Sequence, residues 1–116
     1  MFDFEKLDVY QLSRSVIADT FRLLGKRNAV DYTLRDQWKR ASVSVILNLA
    51  EGTGRMSRAD KKHFYVMSRS SLFECVAVLE IIHSCGMMSQ VEKDEFYGKY
   101  EQISKMLLGM IRGQGG

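Results

Sequence analysis

The sequence predicts an all-α fold: one domain over residues 1–116, built as an up-down-up-down antiparallel four-helix bundle. Three features carry that expectation. Proline is absent from all 116 residues, whereas average usage of roughly 5% would supply about six, and a chain without proline suits long uninterrupted helices. Four segments each open on a polar residue able to cap a helix and close near a glycine. Apolar residues within them recur at three- and four-residue spacing, which places them on one side of a helix.

The first helix is expected at about 8–25. Asp8 with Gln11 resembles a capping box, in which the cap oxygen accepts an amide of the first turn and a later side chain answers. Tyr10, Ile17, Phe21 and Leu24 form its stripe, widened by Val9, Val16 and Leu23, and Gly25 marks its end. The second is expected at about 33–51, from Thr33 with Asp36 to Gly52. Val43, Val45, Leu47 and Leu49 alternate there as a strand would. The longer window favours a helix, because at about 100° per residue the apolar positions cover nearly the whole circumference. Gln37, Arg40, Ser44, Asn48 and Glu51 share the remaining narrow arc.

The third helix is expected at about 57–85, from Ser57 with Asp60 to Gly86. Its stretch Leu72–Ile82 is apolar except for Glu74 and Glu80. The fourth, at about 90–112, begins with the best box, Ser89 with Glu92, and stops before Gly113. Phe96, Tyr100, Ile103, Leu107 and Met110 make one packed seam. Short connections make consecutive helices antiparallel neighbours. Helices 2 and 3 carry more apolar surface than one small bundle covers. Either they bury a second face in a homo-oligomer, or these are the scattered surface apolars found on most proteins.

Composition narrows the class. Hydrophobic residues at 46% and charged residues at 27% describe a globular chain rather than a disordered one. Two cysteines and the lack of a secretory leader point to a reducing, cytoplasmic compartment. No apolar run approaches the roughly 18 residues of a membrane span.

Nothing converges as catalytic, cofactor or metal chemistry, so the expectation is a non-enzyme. Glu80 and His83 have the spacing of half a di-iron site, but the required second half on another helix is missing. Asp60 and His63 lie on the same helix. Cys75 and Cys85 are too far apart for C-x-x-C chemistry. Gly52-Thr53-Gly54-Arg55 lacks the strand and the Lys-Ser/Thr ending of a phosphate loop, and reads as a helix cap and turn.

Charge is uneven along the chain. Residues 1–70 hold 13 Lys/Arg and 8 Asp/Glu, and residues 71–116 hold 4 and 6. Arg55, Arg58, Lys61 and Lys62 cluster at the start of the third helix, where the helix dipole is already positive and further cations are unfavourable. A bound phosphate would relieve that conflict. Lys26, Arg27, Arg35 and Lys39 gather at the opposite end. These groups read either as an RNA or polyanion surface or as a solvated, solubilising face. The polar stripe Arg40, Ser44, Asn48 and Glu51 has a structural reading, paired with Glu74 or Ser71 of the third helix, and an alternative one as ligand contacts.

The stretch from Gln37 to Gly52, with Arg40, Ala41, Ser44, Asn48, Ala50 and Glu51, followed by Gly54-Arg55 and Ser57, resembles a known family. So do the opening Phe4-Glu5-Lys6-Leu7-Asp8-Val9-Tyr10 and Ser71-Leu72-Phe73-Glu74. The family is that of four-helix-bundle proteins found in intervening sequences of bacterial 23S ribosomal RNA genes, and the likeness spans about residues 4 to 112. The chain departs from it in having Ile46 or Leu47 where proline is usual, Ser70 in place of a common glycine, and Asp31-Tyr32 in place of Phe-Pro. The resemblance implies a left-handed bundle assembled as a homo-oligomeric ring, commonly a pentamer. It also implies no established catalysis and, through a divergent relative that assists a retroelement reverse transcriptase, contact with structured RNA or a nucleic-acid enzyme. A ring would repeat the basic clusters around its axis. The rival expectation is a protein-only scaffold or adaptor, whose partner docks on the ring or on an exposed Met87-Met88 turn.

Overall fold

The computed structural model describes residues 1–26 and 30–114, and among them there are four α-helices and no strand. The helices are α1 (Asp8–Lys26), α2 (Tyr32–Thr53), α3 (Arg58–Ser84) and α4 (Gln90–Gly113). A 3-10 turn at Asp3–Lys6 precedes them, an element the apolar periodicity gave no hint of. The long axis of 44 Å matches the roughly 40 Å expected of the 27-residue α3 at about 1.5 Å per residue.

Two of the four expected caps form, one as a full reciprocal box and one as the cap bond alone. Ser89 Oγ accepts from the Glu92 amide at 3.2 Å, while Glu92 Oε1 accepts from the Ser89 amide at 3.3 Å. Ser57 Oγ accepts from the Asp60 amide at 3.1 Å. The other two are displaced. Thr33 already lies within the first turn of α2, and Asp31 caps that helix instead, its carboxylate accepting from the Thr33 amide at 3.0 Å. Asp8 is likewise inside α1, because the Gln11 amide bonds the Leu7 carbonyl at 3.1 Å. The Gln11 side chain then donates to the Glu5 carbonyl at 2.8 Å, tying the 3-10 turn to α1.

Among the stop signals, Gly86 ends α3 with φ of 76°, the left-handed conformation that glycine adopts without steric cost. Met87 N bonds Ile82 O at 3.1 Å and Gly86 N bonds His83 O at 3.0 Å, the paired bonds of a Schellman ending. The Met87-Met88 turn is not an exposed knob. Met88 is buried, and the Met87 sulfur accepts from the Asp31 amide at 3.3 Å, so these side chains join two inter-helix connections.

Gly52 and Gly113 fall inside their helices rather than after them, whereas Gly25 stands as expected at the end of α1. Gly52 has a different purpose. A Cβ there would stand 2.6 Å from Tyr65 Cε1 and 3.1 Å from Phe64 Cβ, so its lack of a side chain sets how closely α2 and α3 approach.

Consecutive helices pack on one another, and α1 also packs on α4. Leu24, Trp38, Leu49, Leu72, Leu79, Ile82, Ile103 and Leu107 are fully buried between them. The α2–α3 seam is the most extensive and is lined with small polar residues. Ser68 Oγ donates to Val45 O at 2.6 Å, Ser44 Oγ meets Ser71 Oγ at 2.7 Å, and Ser42 Oγ lies 3.7 Å from Cys75 Sγ. The strand-like alternation in α2 has a helical explanation. Val45 and Leu49 are one i, i+4 pair turned inward, whereas Val43 and Leu47 are another turned outward.

Gly52→Ala is expected to destabilise the protein by about 1–3 kcal/mol, as overpacking of a formed interior does. Chemical denaturation followed by helical circular dichroism measures it, and no loss of stability would mean that Tyr65 moves aside freely.

Candidate nucleic-acid interface

The basic residues fall into two groups that the fold does not bring together. Arg35 and Lys39 stand near the start of α2, and Arg55, Arg58, Lys61 and Lys62 lie just beyond its end. Arg35 and Thr53 are separated by about 27 Å of helix. Lys26 is exposed at the end of α1, and Arg27 lies outside the described residues.

Most of these cations already have internal work. Lys61 Nζ donates to the Thr53 carbonyl at 2.9 Å, and an Arg35 guanidinium nitrogen donates to the Leu24 carbonyl at 2.6 Å. Each side chain therefore reaches back from the first turns of one helix to the last carbonyls of the preceding one. Those carbonyls are unsatisfied within their helix and carry its negative partial charge. This removes the electrostatic conflict inferred for the start of α3, because the α2 terminus beside it is negative. Arg55 pairs with Glu51 at 2.6 Å and lies over the Phe64 ring at 4.6 Å. Lys39 lies 5.4 Å from the centre of the Phe21 ring.

Arg58 and Lys62 differ. Arg58 is exposed and Lys62 half-buried, and neither has a hydrogen bond or ion pair with a described residue. Asp60 is exposed beside them, so the patch is small and locally mixed in sign. The basic first part and acidic last part of the chain also meet in a pair of reversed sense, an acid of the first with a base of the last. Lys99 of α4 bonds Asp19 of α1 at 3.2 Å, and Asp19 also pairs with Arg22. Burial pushes the Asp19 carboxyl up, but bonding to the two cations outweighs this and holds it below its ordinary range.

The polar stripe on α2 divides as well. Ser44 and Asn48 act together, with Asn48 Nδ2 donating to Ser44 O at 2.9 Å and to Ser44 Oγ at 3.1 Å, and Ser44 continues to Ser71. Arg40 instead pairs with Asp36 at 3.7 Å across exposed side chains. Glu51 turns to Arg55. Glu74 is exposed and contributes no hydrogen bond to the network; its suggested place is taken by Ser71.

The features that suggested chemistry are spent on packing and surface pairing. Glu80 pairs with Lys93 at 3.1 Å, and no group of three His, Cys, Asp or Glu among the described residues is placed to hold a metal. Cys75 is fully buried and Cys85 exposed. Burial raises the Cys75 thiol to about 11. No helix among the described residues is long and apolar enough to cross a membrane.

A family model described as 23S rRNA-intervening sequence protein matches residues 5–109. The chain belongs to that family. Its fold is similar to a crystal structure, at 1.70 Å resolution, of a protein of unknown function from the S23 ribosomal protein family of Bacteroides thetaiotaomicron. The two share 18% sequence identity with a TM-score of 0.84, over 89% of this chain and 97% of the other. A search of curated proteins finds no match. The residues that carry the likeness to this 23S rRNA-intervening sequence protein family have visible duties in the fold. Gly52 permits the α2–α3 approach, Ser44 and Asn48 join the α2–α3 seam, and Glu51 with Arg55 braces the turn.

The part that escaped sequence reasoning is a polar knot in the core. Trp38 Nε1 donates to Tyr100 OH at 2.8 Å, with Thr20, Ser42 and Cys75 beside the same hydroxyl. Ser13, Thr20, Ser42 and Ser68, small polar residues among apolar neighbours, were the available signal.

Two outcomes separate structural from available groups. Lys61→Met should cost about 0.5–1 kcal/mol by removing the carbonyl cap of α2, whereas Arg58→Ala and Lys62→Ala should each stay within about 0.5 kcal/mol of the parent. Thermal melts of the three variants measure this. With a thiol reagent near neutral pH, Cys85 should react rapidly and Cys75 only on unfolding, since a buried, protonated thiol is a poor nucleophile; two fast thiols would contradict the packing.

Proposed function

We propose that this protein is a non-catalytic, homo-oligomeric bundle that contacts RNA or another polyanion at the α2–α3 end, through Arg58 and Lys62 with help from Arg55. The observation that carries this reading is that Arg58 and Lys62 stay unengaged while their neighbours cap and brace the fold. They stand in the first turns of α3, where two cations without a described partner attract an anion. Membership of a family named for 23S rRNA intervening sequences supports an RNA partner, and a nucleic-acid enzyme would be reached through the same RNA. The setting is cytoplasmic.

The helices run up-down-up-down. Support comes from pairs of opposed register: Thr53 with Lys61, Val45 with Ser68 and Ser42 with Cys75 across α2–α3, then Glu80 with Lys93 and Arg69 with Ser104 across α3–α4. Copies assemble as a ring, a pentamer on the family resemblance. Outward Leu47 on α2 and Phe73 and Ile81 on α3 are 62%, 54% and 48% exposed, too apolar a pair of faces to be left to water in a small protein.

A second reading, a protein-only scaffold, is favoured by those same faces and by the small size of the free basic patch. Titration of structured RNA against salt decides between them. RNA binding predicts measurable affinity at low salt, weakened about tenfold or more by the double substitution R58E/K62E, with log affinity falling linearly with log salt. No affinity at low salt removes the RNA reading, and a protein partner retained by R58E/K62E supports the scaffold. Light scattering tests assembly. A species well above the 13.3 kDa of one chain is expected at micromolar concentration, and a monomer would end the ring proposal.

A further inference from the structure

We propose that the centre of the bundle binds one internal water molecule, held between the Ser13 hydroxyl of α1 and the polar side chains of Ser42, Cys75 and Tyr100 from the other three helices. Ser13 is fully buried, and its Oγ has no hydrogen-bond partner among the described residues. A buried helical hydroxyl ordinarily satisfies itself on the carbonyl four residues back, as Thr20 does by donating to Val16 O at 2.9 Å. Ser13 does not.

Its hydroxyl instead lines a cavity of about 10 Å³ shared with Ser42, Cys75 and Tyr100, with Val45 and Ile103 among the apolar walls. That volume corresponds to roughly one water-sized probe, and a buried water needs two to four polar partners. Four helices supply four candidates. A serine hydroxyl offers one donor and two acceptor positions, so Ser13 and Ser42 hold unused capacity even after the Ser42 contact with Cys75. Tyr100 OH accepts from Trp38 and keeps one proton, for which the cavity competes with Thr20 and Ser42 beside it. Apolar cavities of this kind stay dry, whereas a polar one lined by an orphaned hydroxyl is where a water replaces the missing partner.

A high-resolution crystal structure of the full chain tests this directly. The expected result is ordered density about 2.6–3.2 Å from Ser13 Oγ and within the same reach of at least one of Ser42, Cys75 and Tyr100. A hydroxyl rotated onto the Val9 carbonyl, or a dry cavity, overturns the proposal. Ser13→Ala gives an independent reading by thermal melting. Loss of a water anchor predicts a Tm lowered by about 2–6 °C, while an unchanged or higher Tm means that the hydroxyl was an unpaired burden and overturns it as well.

Discussion

The hydrogen bond from Trp38 to Tyr100 organises the interior of this bundle. Trp38 is the largest fully buried side chain, and its indole N–H is a donor that must be met once water is excluded. Tyr100 meets it from α4, and Thr20, Ser42 and Cys75 bring α1, α2 and α3 to the same hydroxyl. Phe96 packs edge-on against the indole at 5.1 Å between ring centres. Burial pushes the tyrosine hydroxyl far above its ordinary value, with the neighbouring Cys75 adding to the shift, so it stays protonated and available as a donor. An apolar core accepts many rotations and offsets of its helices. A buried polar knot penalises each misregister with an unpaired group, which is how such a knot selects one arrangement among near-equals.

Around that knot the helices are held by two different means. The α2–α3 seam uses closeness, through Gly52 and a row of serines that let the backbones approach and then exchange hydrogen bonds. The contacts of α1 and α4 rely more on long side chains, such as Lys99 to Asp19 and Arg69 to the Ser104 carbonyl at 3.3 Å. Long charged side chains at a surface give up more conformational freedom for less net energy. The charges that drew attention as a surface for a partner therefore belong in large part to the architecture.

The helical content was readable because each of its signals is local. Ser89 with Glu92 announces a helix start within four residues, and Gly86 announces an end. Where local signals competed, nearby chemistry decided. Asp31 took the cap from Thr33 because the chain enters the helix two residues sooner than the apolar stripe suggests. The basic groups were found as types but not as roles, since whether Lys61 faces solvent or the carbonyl of Thr53 depends on where α2 ends relative to α3. The core knot was unreadable for a related reason. Tryptophan, tyrosine and cysteine count as apolar in any periodicity argument, and their polar ends matter only after four distant segments meet.

The unequal seams also bear on which parts of the fold open locally. The α2–α3 pair, joined by short contacts between small residues and by a connection braced at Arg55 and Lys61, is the most extensively packed unit. α1 packs on it through a thinner set of contacts, so the amides of α1 are expected to exchange with solvent at a lower free energy than those of α2 and α3. A partner docking at the α2–α3 end would engage the most extensively packed part of the fold.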